Sequence, residues 1–67
     1  MNILLNNNPV NFTKSEMSIA EIIEEKNFTF KMLVVKLNGI LIEKENYRSA
    51  LVKDGDTLVI LHLISGG

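Results

Sequence analysis

The chain has 67 residues, seven basic and eight acidic, for a net charge of −1 and an isoelectric point near 5.7. That length allows one domain with a marginal core, because so short a chain buries only roughly 60% of its unfolded surface. The even charge balance excludes a nucleic-acid binder that works through a basic stripe, and no cysteine with only one histidine, His62, excludes disulfides, thiolate nucleophiles and His- or Cys-based metal sites.

Residues 2–6, "NILLN", alternate as a strand with Ile3 and Leu5 on one face. The "NNP" at 7–9 is turn chemistry, since asparagine tolerates positive φ and Pro9 suits an edge strand. A short partner strand, "VNF" at 10–12, would close a hairpin. In "MSIAEIIEEKN" Ser18 and Glu21 form a capping box. Ile19, Ile22 and Ile23 then share one helical face, with Glu21, Glu24 and Glu25 pointing out. The spacing predicts a helix of about two turns, stopped by Asn27 in a left-handed conformation.

"MLVVKLNGILIE", residues 32–43, reads as a hairpin closed by a type I′ turn at Asn38-Gly39. "ENYRSALV" at 45–52 is an irregular or short helical connection. "DGD" at 54–56 is a second turn, and "TLVILHLI" at 57–64 is the most apolar strand. The expected order is β-β-α-β-β-β.

One helix covers one face of a sheet and leaves the other to water or to a partner. With Ile3, Leu5, Leu33, Val35 and Leu37 toward the helix, Leu4, Met32, Val34 and Lys36 lie opposite. The last strand offers two apolar sets, one of Leu58, Ile60, His62 and Ile64, the other of Thr57, Val59, Leu61 and Leu63. Parity alone leaves their sides open. Either assignment exposes a row of aliphatic side chains, which monomers seldom leave without a use. The plainer alternative is that loop 44–53 packs over them.

Apolar runs stop at about four residues, far short of the ~20 that span a bilayer. The "MN" start carries no signal-peptide pattern, so a cytoplasmic protein that binds neither membrane nor nucleic acid is expected. A chain of this size scarcely builds both a core and a catalytic cleft. It is therefore read as a non-enzyme with no bound cofactor or metal.

Taken together and in order, "MNILLN", "SIAEIIEE", "VVKLNG", "DGD" and the final "GG" resemble the ThiS group of sulfur-carrier proteins of thiamin biosynthesis. The resemblance spans the whole chain. It departs at Glu43-Lys44 and Tyr47, where the family often carries Pro-Arg and Trp. It implies an α+β fold, a ubiquitin-like β-grasp whose mixed sheet has one main helix packed on one face. Residues 1–67 would form a single domain ending in a flexible tail, 64–67. The first and last strands would be central and parallel, with Leu58 and Ile60 toward the helix. Leu4, Val34, Val59, Leu61 and Leu63 would then form an outer, partner-docking face.

The resemblance also implies the chemistry. A ThiF-like adenylating enzyme would spend ATP on the Gly67 carboxylate, and a sulfur donor such as a cysteine desulfurase would convert it to a thiocarboxylate. A ThiG-like thiazole synthase would receive the sulfur. The tail Ile64, Ser65, Gly66 and Gly67, reaching ~13 Å when extended, would thread into the partner's site. Two other readings share part of this pattern: the small subunit of molybdopterin synthase, and a ubiquitin-like modifier joined to a target lysine. A plain interaction domain with incidental glycines is a third. Asp54 and Asp56 are turn formers on this reading, and His62 is a strand residue at the sheet margin.

Overall fold

The structure, a computed structural model, describes residues 1–28 and 32–63. Strand β1 (Asn2–Leu5) turns into β2 (Asn8–Asn11). The turn is Asn6-Asn7, both at positive φ (52° and 67°), which matches the right-handed twist of the flanking strands. A short β3 (Glu16–Ser18) leads into α1 (Ile19–Glu25). The hairpin β4 (Leu33–Leu37) and β5 (Ile40–Ile42) follows, turning at Asn38 (φ 51°) and Gly39 (φ 82°) as the Asn-Gly pair predicts. A 3₁₀ turn (Lys44–Asn46), β6 (Leu51–Lys53) and β7 (Thr57–His62) complete the described chain.

Five strands form one mixed sheet in the order β2-β1-β7-β4-β5, with β1 and β7 parallel and the other pairs antiparallel. Pro9 falls on the edge strand β2, where its missing N–H costs no ladder bond. The first hairpin partner begins at Asn8, two residues before the expected strand. β7 ends at His62 rather than running on toward Ile64, which lies outside the described residues.

The expected order lacked two strands. β3 and β6 pair antiparallel as a separate two-stranded sheet, with Met17 opposite Val52. Each has three residues, too short for alternation to register, and each exists because the other supplies its hydrogen bonds. The connection expected to be irregular thus contains both a 3₁₀ turn and a strand.

The helix begins as its cap dictates. The Ser18 hydroxyl accepts from Glu21 N–H at 3.1 Å, and the Glu21 carboxylate accepts from Ser18 N–H at 3.0 Å. These bonds hold the Glu21 carboxyl below its usual range, with the Ser18 amide the largest cause and Lys14, 2.9 Å away, the next. Asn27 stands at φ 57°, ending the helix as expected.

Ile19 and Ile22 are fully buried against Val35, Val52 and Leu58. Ile3, Leu5, Phe12, Met17 and Ile60 complete the core. Every buried sheet residue belongs to the helix-side set, so Leu58 and Ile60 face the helix. Loop 44–53 lies on that same side: Ile19 N–H donates to the Ala50 carbonyl and Ala20 N–H to that of Tyr47. It therefore does not cover the opposite face.

Candidate functional site

The open face follows from the register. Leu4 sits beside Thr57 and Pro9, Val59 beside Lys36, Leu61 beside Val34, and Leu41 beside Lys36. Partners in a ladder project to the same side. The face is therefore an apolar surface broken by Lys36, with Leu4 and Leu61 roughly half exposed (43% and 52%) and Val34 and Val59 partly covered by their neighbours. Leu41, 55% exposed, extends this surface onto β5. Sequence reasoning passed over it, although the Asn38-Gly39 turn fixes the hairpin register and so places Leu41 opposite Lys36.

Leu63 stands somewhat apart from the set to which its parity assigned it. It lies past the end of β7, and its N–H donates to the Met32 carbonyl at 3.0 Å. It lines a cleft of about 520 Å³ together with Ile23, Phe28, Leu33 and Tyr47 on the helix side. Leu63 is thus the rim where the open face turns toward the helix. Once the ladder ends, alternation no longer dictates direction. The neighbouring groove between α1 and the 3₁₀ turn is also floored by Ile23 and Tyr47, with Lys44 and Arg48 at its margin. Burial, with the Glu43 charge as a lesser cause, raises the Tyr47 phenol above its ordinary range.

The acidic pair in the "DGD" turn is committed to structure. Asp54 accepts from Asn2 N–H at 2.6 Å, and Asp56 accepts from Lys53 N–H at 2.8 Å and from the Asn38 carboxamide at 3.1 Å. Gly55 between them takes φ 87°, where a side chain would be strained. His62 is the exposed last residue of β7. No helix among the described residues is long and apolar enough to cross a membrane. The face offers contact area rather than a set of groups poised for acid–base chemistry. The tail residues Ile64, Ser65, Gly66 and Gly67 lie outside the described residues.

A search of curated proteins finds no match. Among solved structures, the crystal structure of a thiamine biosynthesis protein (ThiS) from Geobacter metallireducens is 28% identical, with all of both chains covered and a TM-score of 0.89. The solution structure of a thiamine biosynthesis protein from the same organism is 28% identical. It covers all of this chain and 88% of its own, with a TM-score of 0.80. The family model described as "ThiS family" matches residues 3–67. With its mixed five-stranded sheet and, among the described residues, one α-helix arranged as a β-grasp, the chain belongs to the ThiS family.

Proposed function

We propose that the chain carries sulfur as a thiocarboxylate on Gly67 and supplies it for thiazole formation in thiamin biosynthesis. The observation that carries this reading is the family match over residues 3–67, which takes in the terminal glycines as well as the fold. ThiS proteins are small sulfur carriers, and the likeness to a thiamine biosynthesis protein over the full chain supports the same role.

The residues suit such a carrier. A terminal carboxylate has a pKa near 3.3–3.7, so at neutral pH it is ionised and a poor electrophile. A ThiF-like partner in the cytoplasm joins one carboxylate oxygen to the α-phosphorus of ATP and releases pyrophosphate. The donor's persulfide sulfur then adds to the Gly67 carbonyl carbon and expels AMP, and a thiol reductant cleaves the resulting acyl disulfide to leave the thiocarboxylate. A ThiG-like synthase takes the sulfur from the thiocarboxylate. The partners contribute the catalytic groups; this chain contributes an address and a reactive end. Leu4, Val34, Val59 and Leu61, with Leu63 at the rim, form the address. The side-chain-free Gly66–Gly67 passes through a channel too narrow for larger residues.

Intact-mass analysis after reaction with ATP, activating enzyme and sulfur donor tests the proposal. The expected product has one oxygen replaced by sulfur, localised to Gly67. Gly66→Ala should slow activation by up to ~10²-fold, because small displacements of a reacting group are that costly. A chain extended by one residue beyond Gly67 that is thiolated as well as the original, without trimming, would sink the reading.

A further inference from the structure

The two edges of the five-stranded sheet are finished differently. β2 closes one side with "NPVN", where Pro9 offers no donor and the Asn11 carboxamide donates back to Asn2 at 2.6 Å. β5 closes the other with "ILI" in unbroken register, without the charge, proline or bulge that commonly keeps an edge from pairing. Ile40 and Leu41 are 67% and 55% exposed, Ile40 on the helix side and Leu41 on the open face. Among the described residues no strand lies beyond β5.

The hydrogen bonds tell which groups of β5 are free. Asn38 N–H donates to the Thr57 carbonyl at 2.8 Å, so this residue, next after β4, points toward β7. Adjacent strand residues turn their polar groups to opposite sides. Leu37 therefore bonds across to Ile40, its partner in register. One residue on, Leu41 turns its N–H and carbonyl away from β4 toward the free edge.

We propose that β5 pairs with β5 of a second copy of this chain, antiparallel about a two-fold axis at Leu41. The strand is self-complementary in that register. Leu41 meets Leu41 of the second copy, exchanging both backbone bonds, and Ile40 meets Ile42. Glu43 falls opposite Gly39, so no like charges face each other, and a net charge of −1 per copy opposes association little. A second copy also brings its strand already fixed by the Asn38-Gly39 turn, so it loses less freedom on pairing than a loose peptide does. The two sheets become one, with both open faces on the same side. A joint of three residues a side is small, so the dimer is weak and forms at high concentration.

Sedimentation equilibrium of the full chain tests this. The apparent mass should rise from 7.5 kDa toward twice that value between about 20 µM and about 2 mM. Over the same range exchange of the Leu41 amide should slow, while the Ile40 and Ile42 amides, already bonded to β4, change little. Leu41→Lys sets two like charges face to face and should weaken association about tenfold or more. Leu61→Asp, two strands away on the open face, should leave it unchanged. A second measure does not depend on charge. Leu41→Cys should cross-link on mild oxidation, because such partners stand ~5.5 Å apart at Cα, within disulfide range, and the chain has no other cysteine. Lys36→Cys, about three strand spacings or ~14 Å from its counterpart, should cross-link about tenfold more slowly. A chain monomeric throughout the range overturns the proposal and leaves the edge to an extended strand of another protein. So does a dimer lost in Leu61→Asp but kept in Leu41→Lys, which would join the open faces instead. Equal cross-linking at positions 36 and 41 overturns it as well.

Discussion

The two faces of the five-stranded sheet are built from nearly the same aliphatic residues and have opposite fates. On one, Leu58 and Ile60 are sealed beneath α1; on the other, Val59 and Leu61 alternate with them along the same strand and meet solvent or partial cover. Hydrophobicity does not distinguish them. What does is the placement of the covering elements, α1, β3 and β6, all on one side. On the proposed function, the uncovered apolar face is the surface the carrier presents to its partners.

Substitutions one residue apart separate the two roles. Leu58→Ala should cost about 2–5 kcal/mol of folding stability, as large-to-small changes at fully buried sites do. In so small a domain that is enough to populate the unfolded state, and a denaturant midpoint would show it. Leu61→Asp should leave that midpoint close to wild type, while weakening capture by the activating partner by about 2 kcal/mol or more. An unfolded Leu61→Asp protein, or one with undiminished binding, would break the contrast between the faces.

A smaller effect sharpens it from the covered side. Ser18→Ala removes the acceptor at the helix start and should lower stability by about 1 kcal/mol, read by thermal or urea unfolding. Sulfur transfer by the folded fraction should not change. A transfer defect at normal stability would put Ser18 in a partner contact.

The smallest effect depends on pH. Glu21 titrates below its ordinary value in the folded chain, so its contribution is present above the unfolded-state pKa, about 4.3. It declines as pH falls through the lower folded-state value. Wild type and Glu21→Gln should therefore differ at neutral pH and converge in strong acid. A stability gap that widens toward acid would contradict the bonding described at the cap.

What the sequence made legible was what is local. The Ser18–Glu21 box, the left-handed Asn27 and the Asn38-Gly39 turn each reveal themselves within four residues, and each stands where the pattern put it. β3 and β6 escaped because their partnership joins Met17 to Val52, and neither segment signals a strand alone. The side of Leu58 was undecidable from alternation, because both sets in β7 are apolar; only the family resemblance chose between them. The site divides in the same way. The placement of Leu4 and Leu61 on the open face followed from pattern and resemblance. Asn6 read only as the last residue of the first strand, because its carboxamide reaches a partner, Ile60, 54 positions away.

The parallel pairing of β1 with β7 ties Leu4 and Leu5 to Thr57 and Leu58, which are made much later. Leu58 and Ile60 stand at the centre of the core, so a nascent chain that has not reached them has a helix and hairpins with nothing to close upon. Contacts of such long sequence separation also bear the loop-closure cost before they are rewarded. Synthesis that stalls before β7 should thus yield an unfolded fragment open to proteases, not a folded decoy that docks without an end to deliver.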